Sequence, residues 1–416
     1  MFNINNYNIT LLYGVMLTVA ICLLLLYRNK VTSIVDPMFY HIVWVSGNLA
    51  LLVGYIDAYG VSTLSLFFIT IFIAYLGLLA VFLENKDERR RRTTNLYIVY
   101  KNKSHRLFVV YIVVSLLFFV SKIDFILFAA THAPIEWVLY RFEDLQGRNP
   151  ILRILEISSE TFFVYFSFVF IFFIKKYRLL VFSVLLAYIA IKLVAGGRST
   201  LLSLLFSLGF FIFFHFGDFN RRFVKKLNAV SILLFPLIIG VAILISSFFR
   251  SDATLADGFF IIANRMMASG DGLEYYMKYN GLENIDSGIG SYVLSVFGIY
   301  LKNIVDVEYK NVGWQLTELA VGTVGFAQGS NYTFPLQIMV LGYVFAPLYL
   351  IVLVVLITRL RRILSHRLYL IVLFYYISYR SMGIVGDIEY WVLTMLSGLF
   401  LYTIVLLPVL RFKVKF

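Results

Sequence analysis

Long apolar runs alternate with short charged connectors along almost the whole chain. Eleven of these runs approach or exceed the roughly 20 apolar residues that a helix needs to cross a bilayer. They extend from Ile9 to Tyr27, Met38 to Ile56, Val61 to Leu83, Leu107 to Phe128, Ile154 to Ile174, Leu179 to Ala195, Leu201 to Phe216, Leu227 to Ser247, Pro335 to Thr358, Leu368 to about Gly386 and Trp391 to Leu410. The pattern predicts an all-α polytopic membrane protein with about eleven transmembrane helices, forming one integral domain over residues 1–416. The eighth and ninth runs are separated by a stretch, 248–334, that is too long for a plain connector. Within it, DGFFIIANRMMASGDGLEYYMKY and GIGSYVLSVFGIYLKNIVDV mix apolar and polar residues at helical spacing, which predicts short amphipathic helices in an outward loop that lids a cavity. A shorter outward stretch runs from Ala129 to Arg153 and carries Arg141, Arg148, Glu143 and Asp144.

Composition removes the soluble alternatives. The 416 residues are 61% hydrophobic, 18% aromatic and 14% charged, with a mean hydropathy of +0.87. The single cysteine, Cys22, lies inside the first apolar run, so one chain can build neither a disulfide framework nor a cysteine-rich metal site. No basic cluster precedes the first run, so MFNINNYNIT reads as the start of a retained crossing rather than a cleaved leader.

Charge then orients the chain. Roughly two thirds of the 36 Lys and Arg residues, against about a fifth of the 23 Asp and Glu, fall after runs one, three, five, seven, nine and eleven. By the positive-inside rule these connectors are cytoplasmic, which puts the N-terminus outside, the C-terminus inside and makes the number of crossings odd. The same partition accounts for the net charge of +13 without invoking nucleic acid. The ERRRR run after the third crossing reads as a cytoplasmic retention signal that also touches anionic lipid heads.

Charged side chains within hydrocarbon are costly unless paired or wetted, so each is a candidate for partnership or function. Glu160 in the fifth run and Lys192 in the sixth reach nearly the same depth at about 1.5 Å of rise per residue, which predicts a pair. That pair reads either as a packing salt bridge or as part of a substrate site. Glu156, one turn above Glu160, would point to the cavity mouth as a weaker candidate. Arg380 lies deep in the tenth run and needs an anion. Asp387 and Glu389 in GIVGDIEYW could supply one internally, or the guanidinium fork could hold a phosphorylated ligand.

The turn AGGRST, Ala195 to Thr200, joins two glycines that allow close backbone approach to Arg198 and to the potential helix-capping residues Ser199 and Thr200. Arg250 and Arg265 near the start of the long loop extend the outward arginine set, and together these residues suggest a two-phosphate site at headgroup level.

With its aromatic-rich crossings, the GGRST turn, the long outward loop and its ending VGTVGFAQGSNYTFPLQIMVLGYVFAPLYL, the chain resembles the O-antigen polymerase (Wzy-type) family of bacterial oligosaccharide repeat-unit polymerases. The resemblance implies a GT-C-like fold in the inner membrane and substrates carried on undecaprenyl diphosphate. It implies transfer of the growing polymer onto a newly flipped repeat unit, with no metal, and a chain-length regulator and a flippase as possible partners. Arg198, Arg250, Arg265 and Arg380 fit the stabilisation of a departing diphosphate. Asp271 and Glu274 in SGDGLEYY, with Glu318 behind them, are candidates for the base that deprotonates the acceptor hydroxyl. Tyr275, Tyr276, Trp314 and Tyr332 could stack on sugar faces. Only His132 among the five histidines falls on the outward side, whereas the related ligase family is associated with an outward loop histidine. A transporter or flippase for a lipid-linked glycan or another anionic solute is the alternative, since it would also use wet intramembrane charges.

Overall fold

The computed structural model describes principally residues 6–132, 150–194, 200–232, 271–285, 312–322, 341–386 and 388–411, with a few isolated positions between 240 and 336. It is an α-helical multi-pass membrane protein. Among the described residues there is no strand, and eight helices are long and apolar enough to span a bilayer, or nine if one bent pair counts as a span.

The first three apolar runs are helices α1 (Ile9–Tyr27), α2 (Pro37–Tyr59) and α3 (Thr63–Phe82). Each starts at a polar cap: Asn8 accepts from the Leu11 amide, Asp36 precedes a proline at the first turn of α2, and Ser62 and Ser65 form a reciprocal capping pair. Two short helices follow, α4 (Lys86–Arg92) and α5 (Leu96–Asn102), before α6 (Ser104–Val120). The α4–α5 segment meets α6 at 85°, so the predicted basic connector is a folded strap across the end of the bundle.

The fourth apolar run breaks at Ser121 and Lys122 before α7 (Ile123–Thr131) resumes it. Then come α8 (Pro150–Phe173), α9 (Arg178–Val194) and α10 (Thr200–Phe214). At 15 residues α10 is shorter than a straight span requires, and most of the eighth run lies outside the described residues. The predicted loop contributes α11 (Asp271–Lys278) and α12 (Val312–Val321), both short. Of the ninth run, the described helix is α13 (Gly342–Arg362), and most of its expected first turns lie outside the described residues. The tenth is α14 (Leu368–Arg380) followed by a 3-10 turn, Ser381–Val385. The last is α15 (Ile388–Leu401), which continues through a π turn, Tyr402–Leu406, into α16 (Leu407–Arg411).

Two apolar clusters build the body. One joins α1, α2, α3, α11, α12 and α13; the other joins α5, α6, α8, α9, α10, α14, α15 and α16. Trp391 packs against both. In the second cluster α8 is the central post, with Phe162 to Phe166 almost wholly buried, whereas α1 keeps most of its apolar surface outward, as lipid contact requires.

At the end of the bundle where α1, α3, α10 and α13 finish, basic side chains cap main-chain carbonyls. Lys30 donates to the Leu83 carbonyl at 2.7 Å, Lys86 to Arg28 at 3.1 Å, and Arg362 to Phe82 at 2.7 Å. Arg92 donates to the Arg362 carbonyl at 2.9 Å, and Arg89 to the carbonyls of Phe213 at 3.4 Å and Arg361 at 3.2 Å. The last four carbonyls of any helix lack intrahelical donors and carry its negative dipole end, so cations are stabilising there. Arg89, expected at a lipid surface with the rest of ERRRR, is instead fully buried. Its guanidinium and that of Arg361 lie over the Phe213 ring, at 4.6 and 4.1 Å from the centroid.

Candidate functional site

The opposite end of the bundle holds a cluster of charged side chains drawn from four elements. Glu156 on α8 places Oε1 between two ammonium groups, Lys122 Nζ at 2.5 Å and Lys192 Nζ at 3.0 Å. One turn further along α8, Glu160 Oε1 accepts from Lys192 at 3.0 Å and from the Tyr188 hydroxyl at 2.7 Å. The predicted Glu160–Lys192 pair is thus present. Glu156, expected at the cavity mouth, is instead the hub, because the break after α6 swings Lys122 inward onto it. Lys122 and Glu156 are buried, while Glu160 and Lys192 remain partly exposed.

Arg380 ends α14 beside this cluster. Its Nη2 donates to Thr161 Oγ1 at 2.7 Å and to the Ile157 carbonyl at 3.4 Å, both on α8. Its guanidinium lies over the Tyr376 and Tyr379 rings, at 5.8 and 5.7 Å from the centroids. The Nε is buried with no hydrogen-bond partner. Glu160 and Tyr390 are within electrostatic reach of this guanidinium. Asp387 and the Glu389 side chain, expected as internal counter-ions, lie outside the described residues. Counting Lys122, Lys192 and Arg380 against Glu156 and Glu160, the described cluster carries one more cation than anion.

A second group of candidates sits at the same end on α11, packed over α2 and α12. Glu274 is 4% exposed and faces the Tyr7 hydroxyl. Burial holds its carboxyl above the usual range, with Asp271 adding to the effect and Tyr7 and Lys278 opposing it. The Tyr7 phenol is raised in turn, by burial first and then by Glu274. Asp271 is half-buried and turns its Oδ1 onto the Gly272 amide at 2.7 Å, a capping role.

The expected sugar-stacking residues separate. Tyr276 is a core residue, edge-on to Phe68 and covered on one side by Gly281, where a Cβ would collide with its ring. Tyr275 is buried, and burial pushes its phenol up to about 12. Trp314 on α12 is exposed. Glu318 lies on the same short helix. Arg198, Arg250, Arg265 and Tyr332 lie outside the described residues, as do Arg141, Arg148, Glu143 and Asp144. His132 stacks on Phe128 at 3.9 Å, four residues before it in sequence.

Lys122 was not among the sequence candidates, although it satisfies the criterion that singled out Glu160, a charge inside an apolar run; Asp124 two residues on shares that run. Tyr188 and Thr161 carry no comparable sequence signal, being one of 29 tyrosines and a threonine in a helix. Comparison with protein-family models, with curated proteins and with solved structures returns no match.

Proposed function

We propose that the chain is a metal-independent glycosyltransferase of the Wzy type, with a GT-C-like fold. It polymerises oligosaccharide repeat units carried on undecaprenyl diphosphate at the outer face of the bacterial inner membrane. The capped basic end is then cytoplasmic, the N-terminus outside, and a flippase and a chain-length regulator are its partners. The acceptor hydroxyl attacks the anomeric carbon, a C–O bond forms there, and the bond to the diphosphate oxygen breaks. The hydroxyl proton passes to Glu274, and the negative charge leaves on the lipid diphosphate.

The observation that carries this reading is Arg380. It stands beside the Lys122–Glu156–Lys192–Glu160 cluster and keeps a buried Nε donor with no hydrogen-bond partner among the described residues. A buried unsatisfied donor on a permanent cation is costly, and an incoming diphosphate oxygen offsets that cost. Thr161, the Ile157 carbonyl and two tyrosine rings hold the guanidinium in place, so charge developing on the leaving group meets a preorganised partner. Arg198, Arg250 and Arg265 complete the diphosphate set in this reading. Trp314 and Tyr332 are the sugar-stacking residues. A raised carboxylate at Glu274 suits a group that must accept a proton near neutral pH.

Purified protein given a synthetic undecaprenyl-diphosphate-linked repeat unit should build a product ladder on a gel. Arg380→Ala should abolish the ladder at normal membrane abundance, and Arg380→Lys should slow it by about 10²–10³-fold, the usual worth of one oxyanion donor. A full ladder from Arg380→Ala would remove Arg380 as a diphosphate ligand. The Lys–Glu cluster at this end of the bundle favours transport as a second reading. Vesicles in which the protein moves a labelled lipid-linked glycan across the bilayer, while making no polymer, would decide for it.

A further inference from the structure

The basic end holds more positive charge than its capping contacts use. Five cations converge there, Lys30, Arg89, Arg92, Arg361 and Arg362, against two buried acids, Asp36 and Glu84. Asp36 is saturated: Oδ1 accepts from the Met38 amide and Arg361, and Oδ2 from the Thr32 amide and hydroxyl. Glu84 Oε1 is taken by Arg92 at 2.7 Å, and its Oε2 stands 3.6 Å from Arg89. Four buried nitrogens remain without a hydrogen-bond partner: Arg89 Nη2, Arg361 Nε and Nη1, and Arg362 Nε. Arg89 is wholly buried and Arg361 is 2% exposed.

Arg361 and Arg362, with Lys30, Glu84, Phe213 and Thr358, line a partly open cavity of about 10 Å³ that Arg89 does not reach. That is about the room that one water-sized group takes. An oxyanion can place one oxygen in it, and the oxyanions at lipid-headgroup depth are phosphodiesters. A tetrahedral phosphate can insert a single oxygen and leave the rest of its charge at the mouth, between Lys30 and Arg362. The mouth lies where α1, α3 and α13 end, at the depth of lipid headgroups. Burial and the neighbouring Arg362 lower the Lys30 ammonium, a sign of cations crowded together.

We propose that this cavity is a binding site for one phosphate oxygen, taken from the phosphodiester of a lipid in the adjacent leaflet, and that the bound lipid ties Lys30 at the end of α1 to Arg362 at the end of α13. The site is independent of the polymerase reading, since it lies at the other end of the bundle and its test uses no turnover.

Thermal unfolding of the full chain in detergent separates the sources. Phosphatidylglycerol should raise the midpoint by at least about 3 °C, digalactosyl diacylglycerol, which has no phosphate, should leave it unmoved, and inorganic phosphate should act weakly. If inorganic phosphate alone gives the whole shift, the site stands and its ligand is the free ion. An equal shift with the galactolipid, or no shift with either phosphate, overturns the proposal and leaves a water-filled cavity.

Lys30→Met and Arg362→Met, made separately, should each weaken the apparent phosphatidylglycerol affinity about tenfold or more, the worth of one charge-assisted hydrogen bond. The exposed Arg91→Met should leave it unchanged. An equal loss from Arg91→Met would mean diffuse attraction to the basic face and would also overturn the site. The readout is the lipid-dependent shift, so a lower basal midpoint from a lost carbonyl cap does not confuse it.

Discussion

The two charged clusters of this membrane body solve the same problem by different chemistry. At the basic end, cations bind main-chain carbonyls and aromatic rings, and the acids serve mainly as anchors. At the other end, lysines and glutamates bind one another and a tyrosine, with Arg380 at the edge. Carbonyl capping depends on where helices stop, so it tolerates any basic residue long enough to reach. Side-chain pairing depends on identity and register at each position. The first arrangement is an architectural joint, while the second has the selectivity expected of a site.

That contrast can be strained from either side. The largest expected effect is at the hub: Glu156→Leu removes the carboxylate that bridges Lys122 and Lys192 and should cost about 3–5 kcal/mol, read as loss of folded protein in a detergent titration. Glu160→Leu should cost clearly less, because Lys192 keeps Glu156. The double variant Lys122→Met and Glu156→Leu, which keeps the Glu160–Lys192 pair, should recover most of the stability; failure to recover would show that packing, not charge pairing, sets the cost. At the basic end, Asp36→Leu removes both the cap of α2 and the carboxylate that pairs with Arg361, and about 3 kcal/mol should be lost in the same titration.

Smaller again is Gly209→Ala on α10, where a Cβ would run into the Val35 carbonyl just before α2. The helices must part, at about 1–3 kcal/mol. The least effect belongs to Glu274. Its carboxyl is raised in the folded protein, so its contribution favours folding below the unfolded carboxylate value, near pH 4.3, and is lost as pH rises through the folded value. Glu274→Gln should flatten that segment of the stability–pH curve while abolishing polymer formation. A curve unchanged by the substitution would remove Glu274 as the titrating group.

Much of the helical framework was legible because hydrocarbon imposes a single rule on long apolar runs. Runs one to three, five and six recur as helices within a few residues of their expected ends. The Glu160–Lys192 pair was legible for a related reason, since depth along two neighbouring helices follows from residue counting. What residue counting could not reach was tertiary. Lys122 joins Glu156 only because α6 breaks at Ser121, and an apolar run says nothing about a break inside it. Arg89 looked like one of four equivalent surface arginines; which member of a basic run turns inward is decided by the carbonyls of helices far away in sequence. Tyr276 failed as a sugar platform because binding aromatics and core aromatics have the same composition.

The contact between Arg89 and the Arg361 carbonyl bridges 272 positions of chain, and this orders how the protein can be made. When the ribosome has delivered the first three crossings and their strap, only Lys30 and Lys86 have their carbonyls. Arg89 gains the Phe213 carbonyl with α10 and the Arg361 carbonyl only with α13. The strap is therefore fastened in stages, and a chain cut short before α13 keeps the early contacts but lacks the last.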